Sequence, residues 1–171
     1  MNGEIAQRAI AICWLFHLAG DVHQPLHTST FFTTDFPEGD RGGTRFYVRA
    51  TAQATRTINL HAYWDNLVGG TTHFPTVKNA AIELRKKHPK ESLEELKSRG
   101  FDAWVRESFA LARKVAYRDG KLRGGRDRDH GEVLPADYAA TAQPVAYRRA
   151  ALAGYRLAEV MRSCLGEEAQ K

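Results

Sequence analysis

The sequence predicts an all-α fold, mainly helical, with long loops and at most a short β-hairpin. Three observations predict it. Apolar residues recur at three- and four-residue spacing over residues 4–20, 101–120 and about 138–165. The β-prone run FYVRAT, from Phe46 to Thr51, is short. The stretches between the periodic segments are polar and rich in Gly, Pro and charge. A chain of 171 residues, 43% of them hydrophobic, suits one domain with an ordinary core. No repeat or linker divides it, so residues 1–171 are read as a single helical domain.

Each element has its own signal. In the first helix, Ile5, Ala9, Ile12, Cys13, Phe16 and Ala19 share a face. Gly20 offers an end, but His17 and Asp21 make sense on one continuous face. Pro25 then marks a turn or a new helix start. Residues 28–45 read as a loop, with Pro37, Gly39, Gly42 and Gly43. NLHAYWDNLV reads as a helix with Asn59 as its N-cap. PTVKNAAIELRKKH is a helix, and SLEELKSRG reads as another, opened by Ser92 with Glu95 as capping-box partner.

FDAWVRESFALARKVAYRDG reads as a single amphipathic helix. Phe101, Trp104, Val105, Ser108, Leu111, Ala112 and Val115 make its apolar face. GKLRGGRDRDHGEVLP is a long polar loop. The last helix starts at Tyr138 or Pro144 and ends near Leu165, with Ala151, Tyr155, Ala158, Met161 and Leu165 as its stripe.

The net charge of +5 leans towards an anionic partner such as nucleic acid, a phosphate ester or an acidic surface. No apolar run is long enough to span a membrane. The apolar run Ala9–Phe16 lacks a basic segment before it and a small-residue cleavage site after it, so it does not read as a signal peptide. Cys13 and Cys164 are expected to be small buried hydrophobes, their pairing left open.

The chemistry concentrates in HLAGDVHQPLH, residues 17–27. His17 and Asp21 are four apart and lie on one helix face. His61 and Asp65 repeat that spacing in a second helix, and His27 follows the turn at Gln24–Pro25. Imidazole nitrogen and carboxylate oxygen are donors that zinc accepts, and two at i, i+4 can reach one ion without bending the helix. A lone His-x-x-x-Asp pair is ordinarily a surface ion pair. Two pairs plus a third His make a metal site a matching reading.

HLAGDVHQPLH, then DRGGT, then NLHAYWD resembles the zinc-dependent single-strand-specific nucleases. That family includes secreted fungal nucleases, plant bifunctional nucleases and trypanosomatid 3′-nucleotidase/nucleases. Its G-D-x-x-Q-P-L-H and N-L-H-x-x-W-D segments stand here at Gly20–His27 and Asn59–Asp65. Trp104–Ser108 (W-x-x-E-S), Val115–Tyr117 and Ala153–Ala158 (A-G-x-R-L-A) extend the likeness over essentially the whole chain.

The resemblance implies a helical fold shared with zinc phospholipase C and a three-zinc cleft. His17 would ligate one of a close zinc pair. Asp21 would bridge that pair and position the attacking hydroxide. His27, His61 and Asp65 would hold the third zinc. It implies an endonuclease/3′-nucleotidase that hydrolyses phosphodiester bonds of single-stranded DNA and RNA to 5′-phosphate products, in a secreted or periplasmic setting. The family's mature chain supplies a zinc-binding N-terminal Trp and further His and Asp ligands before this point. This sequence has sixteen residues before His17. It therefore reads as the C-terminal two-thirds of the family domain, with one of three zinc sites complete.

His23 is not a family ligand and reads as packing or as support behind the ligands, and Trp64 reads as core. Gln24 and Asn59 are candidate donors to the ligands. Thr44 stands where the family usually has Asn. His73, His88 and His130 read as solvated surface residues. The basic run Arg113, Lys114, Arg118, Lys121, Arg123, Arg126 and Arg128 either guides a phosphate backbone or forms a solvated face with its interspersed aspartates. Phe31, Phe32 and Phe36 either stack on bases or pack their own loop. Two other readings stay open: a zinc phospholipase C-like phosphodiesterase, and an inactive truncated metal-binding fragment.

Overall fold

The computed structural model describes residues 3–166. It is mainly α-helical. The helices are α1 (Gly3–Asp21), α2 (Leu60–Asn66), α3 (Phe74–Lys87), α4 (Phe101–Leu111) and α5 (Tyr138–Leu165). A small sheet comprises β1 (Tyr47–Arg49), β2 (Ile58–Asn59) and β3 (Glu132–Val133), in the order β2-β1-β3. β1 and β2 form the antiparallel hairpin, with Tyr47 opposite Asn59. β3 comes from the polar loop after α4 and pairs parallel to β1.

The 28-residue α5 is the spine, with α1 and α3 packed along it. α4 packs against a 3₁₀ turn, Pro25–Thr28. The main core joins that turn, the hairpin, α2 and α5 through Leu26, Phe46, Val48, Leu60, Trp64, Tyr138 and Ala142. Trp64 fills its centre, and its indole N–H donates to the Tyr138 hydroxyl at 2.9 Å. The Tyr138 hydroxyl in turn donates to the Ala116 carbonyl at 2.8 Å, so both buried polar handles are satisfied. In the first long loop, Phe31 stacks on Tyr117 and Phe36 on Phe46. Those two rings are packing, whereas Phe32 stays exposed.

Several local expectations change. SLEELKSRG is not an α-helix but two 3₁₀ turns, Lys90–Ser92 and Glu94–Lys97. The capping box fails because Ser92 Oγ bonds the Pro89 carbonyl and Glu95 is taken by Arg148. The helix from Phe101 ends at Leu111 and passes through a π turn, Ala112–Ala116. That turn carries Tyr117 to the buried Asp40 carboxylate, which accepts its hydroxyl at 2.7 Å. On α4, Trp104 and Ser108 are buried, as is Ala112 at the start of the π turn, but Phe101 and Val105 are exposed.

The largest correction concerns α1. Of its expected apolar face only Ala19 is buried, and Ile5, Ile10, Trp14, Phe16 and Leu18 are each more than half exposed. Cys13 and Cys164 are likewise exposed and free rather than buried. Both lie on helix surfaces that nothing among the described residues covers.

Candidate metal centre

α1 runs unbroken to Asp21, so His17 and Asp21 share its last turn, with His17 Nε2 3.1 Å from Asp21 Oδ2. Backbone bonds from His23 to Gly20 and from Gln24 to Asp21 then reverse the chain. Pro25 opens the 3₁₀ turn, capped by the Gln24 side chain, which accepts from the Leu26 N–H. This brings His27 back over Asp21, with His27 Nδ1 3.4 Å from the same Oδ2. One carboxylate oxygen therefore faces two imidazoles.

The second arm is α2. Asn59 caps it, its side-chain oxygen accepting from the Ala62 N–H at 2.7 Å. Capping is the role the structure gives Asn59. His61 and Asp65 follow one turn apart, with His61 Nε2 3.7 Å from Asp65 Oδ2. Leu60 and Trp64, on the adjoining face, anchor the helix in the core.

The arms meet where His27 and His61 stand with ring centroids 4.5 Å apart. Donor atoms of His27, His61 and Asp65 all lie within 4.8 Å of one another, and a metal ion would suit them. His17 and Asp21 adjoin this group but are not part of it.

The surroundings orient each donor. His61 Nδ1 lies 2.8 Å from the Gly42 carbonyl, so its hydrogen points there and Nε2 faces the group. The DRGGT loop can come this close because Gly42 and Gly43 adopt positive φ. A Cβ on Gly42 would sit 2.4 Å from the Leu26 carbonyl. Gln24 donates to Asp65 Oδ1 at 3.0 Å, so one amide both caps the His27 turn and holds the carboxylate of the other arm. Burial holds the His27 imidazole below its ordinary range, against the opposing pull of Asp21. That favours the neutral ring, the form that donates a lone pair.

His23 points the other way, fully buried. Its Nδ1 lies 2.7 Å from the Ala19 carbonyl and its Nε2 2.9 Å from Arg156 Nη1. Burial, with Arg149 and Arg156 beside it, pushes its pKa down to about 4. Sequence reasoning missed these two arginines and Glu107, although Glu107, Ser108 and Arg156 lie in stretches that carried the family likeness. Their positions 107–108 and 149–156 give no sign of pairing with residue 23 until the helices pack.

The remaining polar signals are dispersed. His73 and His130 are exposed, and His88 is half-buried. His130 pairs with Asp127 at 2.7 Å. In the basic run, Arg118 pairs with Asp137 and Arg126 with Asp35, while Lys121 and Arg123 have no ion-pair partner among the described residues. No described helix is long and apolar enough to cross a membrane.

A mainly helical domain that gathers two histidines and an aspartate from a turn and a helix, each oriented by its surroundings, defines a candidate metalloprotein. The sequence matches the S1/P1 nuclease family over residues 2–166, and the chain belongs to that family. It is similar to two proteins of Arabidopsis thaliana, Endonuclease 4 (29% identical over 165 residues, 88% of this chain and 49% of that protein) and Endonuclease 2 (27% over 169 residues, 91% and 52%). Endonuclease 5 of the same plant is 28% identical over 165 residues. The chain spans about half the length of the relatives it matches.

Proposed function

We propose that this chain is the zinc-binding part of an endonuclease/3′-nucleotidase that hydrolyses phosphodiester bonds of single-stranded DNA and RNA, leaving 5′-phosphates. The observation that carries the reading is the convergence of His27, His61 and Asp65, with Gly42 and Gln24 already engaging the atoms that would not bind metal. The donor set fits zinc: three protein ligands, of imidazole and carboxylate type, leave a position for water or phosphate. Bound there, zinc supplies Lewis-acid stabilisation of the charge that develops on phosphate oxygens and lowers the pKa of water.

The chain's own residues prepare this chemistry. His27 and His61 each offer a ring nitrogen, and Asp65 offers a carboxylate held by Gln24. His17 and Asp21 are proposed as donors to a neighbouring zinc pair, His17 to one of its ions and Asp21 to both, with Asp21 placed to position the attacking hydroxide; its Oδ2 lies beside His17 and His27. A complete family site has three zincs, and the His27–His61–Asp65 group accounts for one of them. The net charge of +5 suits a polyanionic substrate. Family resemblance supports a secreted or periplasmic setting.

The test is zinc per chain after dialysis, together with cleavage of denatured DNA, duplex DNA and phosphatidylcholine. At least one zinc, lost in His61→Ala, is expected, and any zinc-dependent cleavage is expected to be confined to denatured DNA. A folded chain without zinc would falsify the metal assignment. Hydrolysis of phosphatidylcholine instead would move the reading to a phospholipase C-like enzyme.

A further inference from the structure

Behind the donor turn lies a buried charged cluster that metal binding does not itself use. Arg149 and Arg156, two turns apart on α5, are 3% and 2% exposed. Both reach Glu107 on α4. Its Oε2 accepts from Arg149 Nη1 at 2.6 Å and from Arg156 Nη1 at 2.7 Å, and its Oε1 accepts from Arg156 Nη2 at 2.8 Å. The Arg156 guanidinium also lies 5.1 Å from the centre of the Trp104 ring and donates to the Glu95 carbonyl. Two buried cations share one carboxylate. Burying charge is costly, and such a cluster is weak support for stability by itself.

What the cluster grips is the peptide between the donors. Arg149 Nε donates to the His23 carbonyl at 3.2 Å. Arg149 Nη2 donates to Ser108 Oγ at 2.6 Å, and Ser108 in turn donates to the Val22 carbonyl. His23 keeps its Nδ1 hydrogen on Ala19, so its Nε2 accepts from Arg156. Two consecutive carbonyls and one ring are thus held between Asp21 on one side and Gln24 on the other. Arg149 also lines the cavity of about 330 Å³ that Asp21, His27 and Asp65 face.

We propose that Arg149, backed by Glu107 and relayed through Ser108, is a positioning residue that holds the Asp21–His27 turn in its metal-accepting shape. The inference rests on the metal-site reading above. Without Arg149 the His23 carbonyl loses its partner and Ser108, which holds the Val22 carbonyl, loses its anchor, so the turn can swing His27 away from His61. Small displacements of donors, or of the groups that support them, weaken a site that its ligands alone do not hold rigid. The W-x-x-E-S and A-G-x-R-L-A stretches acquire a shared purpose, because their Glu107, Ser108 and Arg156 surround this one turn.

The test is cobalt(II) titration of the full chain, followed by its visible absorption bands, with denaturant unfolding measured in parallel. Arg149→Met and Ser108→Ala are compared with Arg148→Met. That control loses an ion pair to the Glu95 carboxylate, which makes no bond to the turn or to Arg149. Arg149→Met is expected to weaken cobalt at least tenfold and to alter the bands, with Ser108→Ala intermediate. Arg148→Met should lose stability with affinity and spectrum unchanged. Wild-type affinity and spectrum in Arg149→Met overturn the proposal, as does equal weakening in Arg148→Met, which would mean that affinity merely follows stability. Should Arg149→Met fail to fold, Ser108→Ala against Arg148→Met decides in the same way. Cobalt bound by wild type and weakened in Arg149→Met, with hydrolysis of phosphatidylcholine rather than denatured DNA, supports this proposal and sinks the nuclease reading. No cobalt in the folded wild type sinks both.

Discussion

The two arms of the candidate metal site rest on very different ground. α2 carries His61 and Asp65 outward and buries Leu60 and Trp64 behind them, each at most 1% exposed. α1 carries His17 and Asp21 and is at least as apolar, yet Trp14, Phe16 and Leu18 are 57%, 54% and 52% exposed. One side of it meets α5, and its last turn is secured by Ala19 and by the arginine cluster beneath residues 22 and 23. Apolar content therefore does not by itself mark a core. A helix apolar on several sides is a sequence made for burial, and among the described residues most of α1 away from α5 has no cover. The difference also divides the donors. His27, His61 and Asp65 are brought together on packed supports, while His17 reaches its carboxylate from an exposed helix.

The sharpest way to break this contrast is to remove the support under α2. Trp64→Ala should cost about 3–5 kcal/mol, from lost burial plus the cavity left behind. Denaturant unfolding measures it, and a loss below about 1 kcal/mol would mean that α2 is not the anchored arm.

The next largest effect concerns His23, which joins the exposed arm to the cluster. Its folded pKa, about 4, lies below the ordinary 6.5. As pH falls below 6.5 the unfolded chain takes up a proton that the native ring refuses. The stabilisation is complete above about pH 6.5 and is lost progressively down to about pH 4. At about 1.4 kcal/mol per pH unit, the loss amounts to roughly 3 kcal/mol. Stability of the metal-free protein across that window tests it, with His23→Gln expected to flatten the slope.

A smaller effect probes the link between the arms. Gln24→Ala removes the bond to Asp65 and the cap on the His27 turn. Zinc affinity should fall roughly 10- to 100-fold, the usual cost of losing a supporting partner. Calorimetric titration reads it, and unchanged affinity would show that the arms are positioned independently. Smallest of all, Trp14→Ser on the uncovered face should alter stability by no more than about 0.5 kcal/mol while lowering the binding of a hydrophobic dye. A loss of several kcal/mol would show that Trp14 is packed after all.

The local parts of the site were legible. Helical periodicity put His17 with Asp21 and His61 with Asp65, and the Asn59 cap and the Pro25 turn start followed from side-chain and backbone preferences. All of these depend on neighbours within a few residues. The capping box at Ser92 was misread for the converse reason, because Glu95 found a charged partner 53 residues away.

By itself, then, the sequence determined a mainly helical chain, two i, i+4 donor pairs and a third histidine after a proline turn. Tertiary structure alone decided that His27 meets His61, that Gln24 spans 41 residues to steady Asp65, and that Arg149 reaches 126 residues back to the carbonyl of His23. It also decided that α1 lies exposed. The physical reason is one of range. Periodicity and capping are settled within a turn or two of chain, whereas burial and the pairing of buried charge depend on which distant surfaces meet.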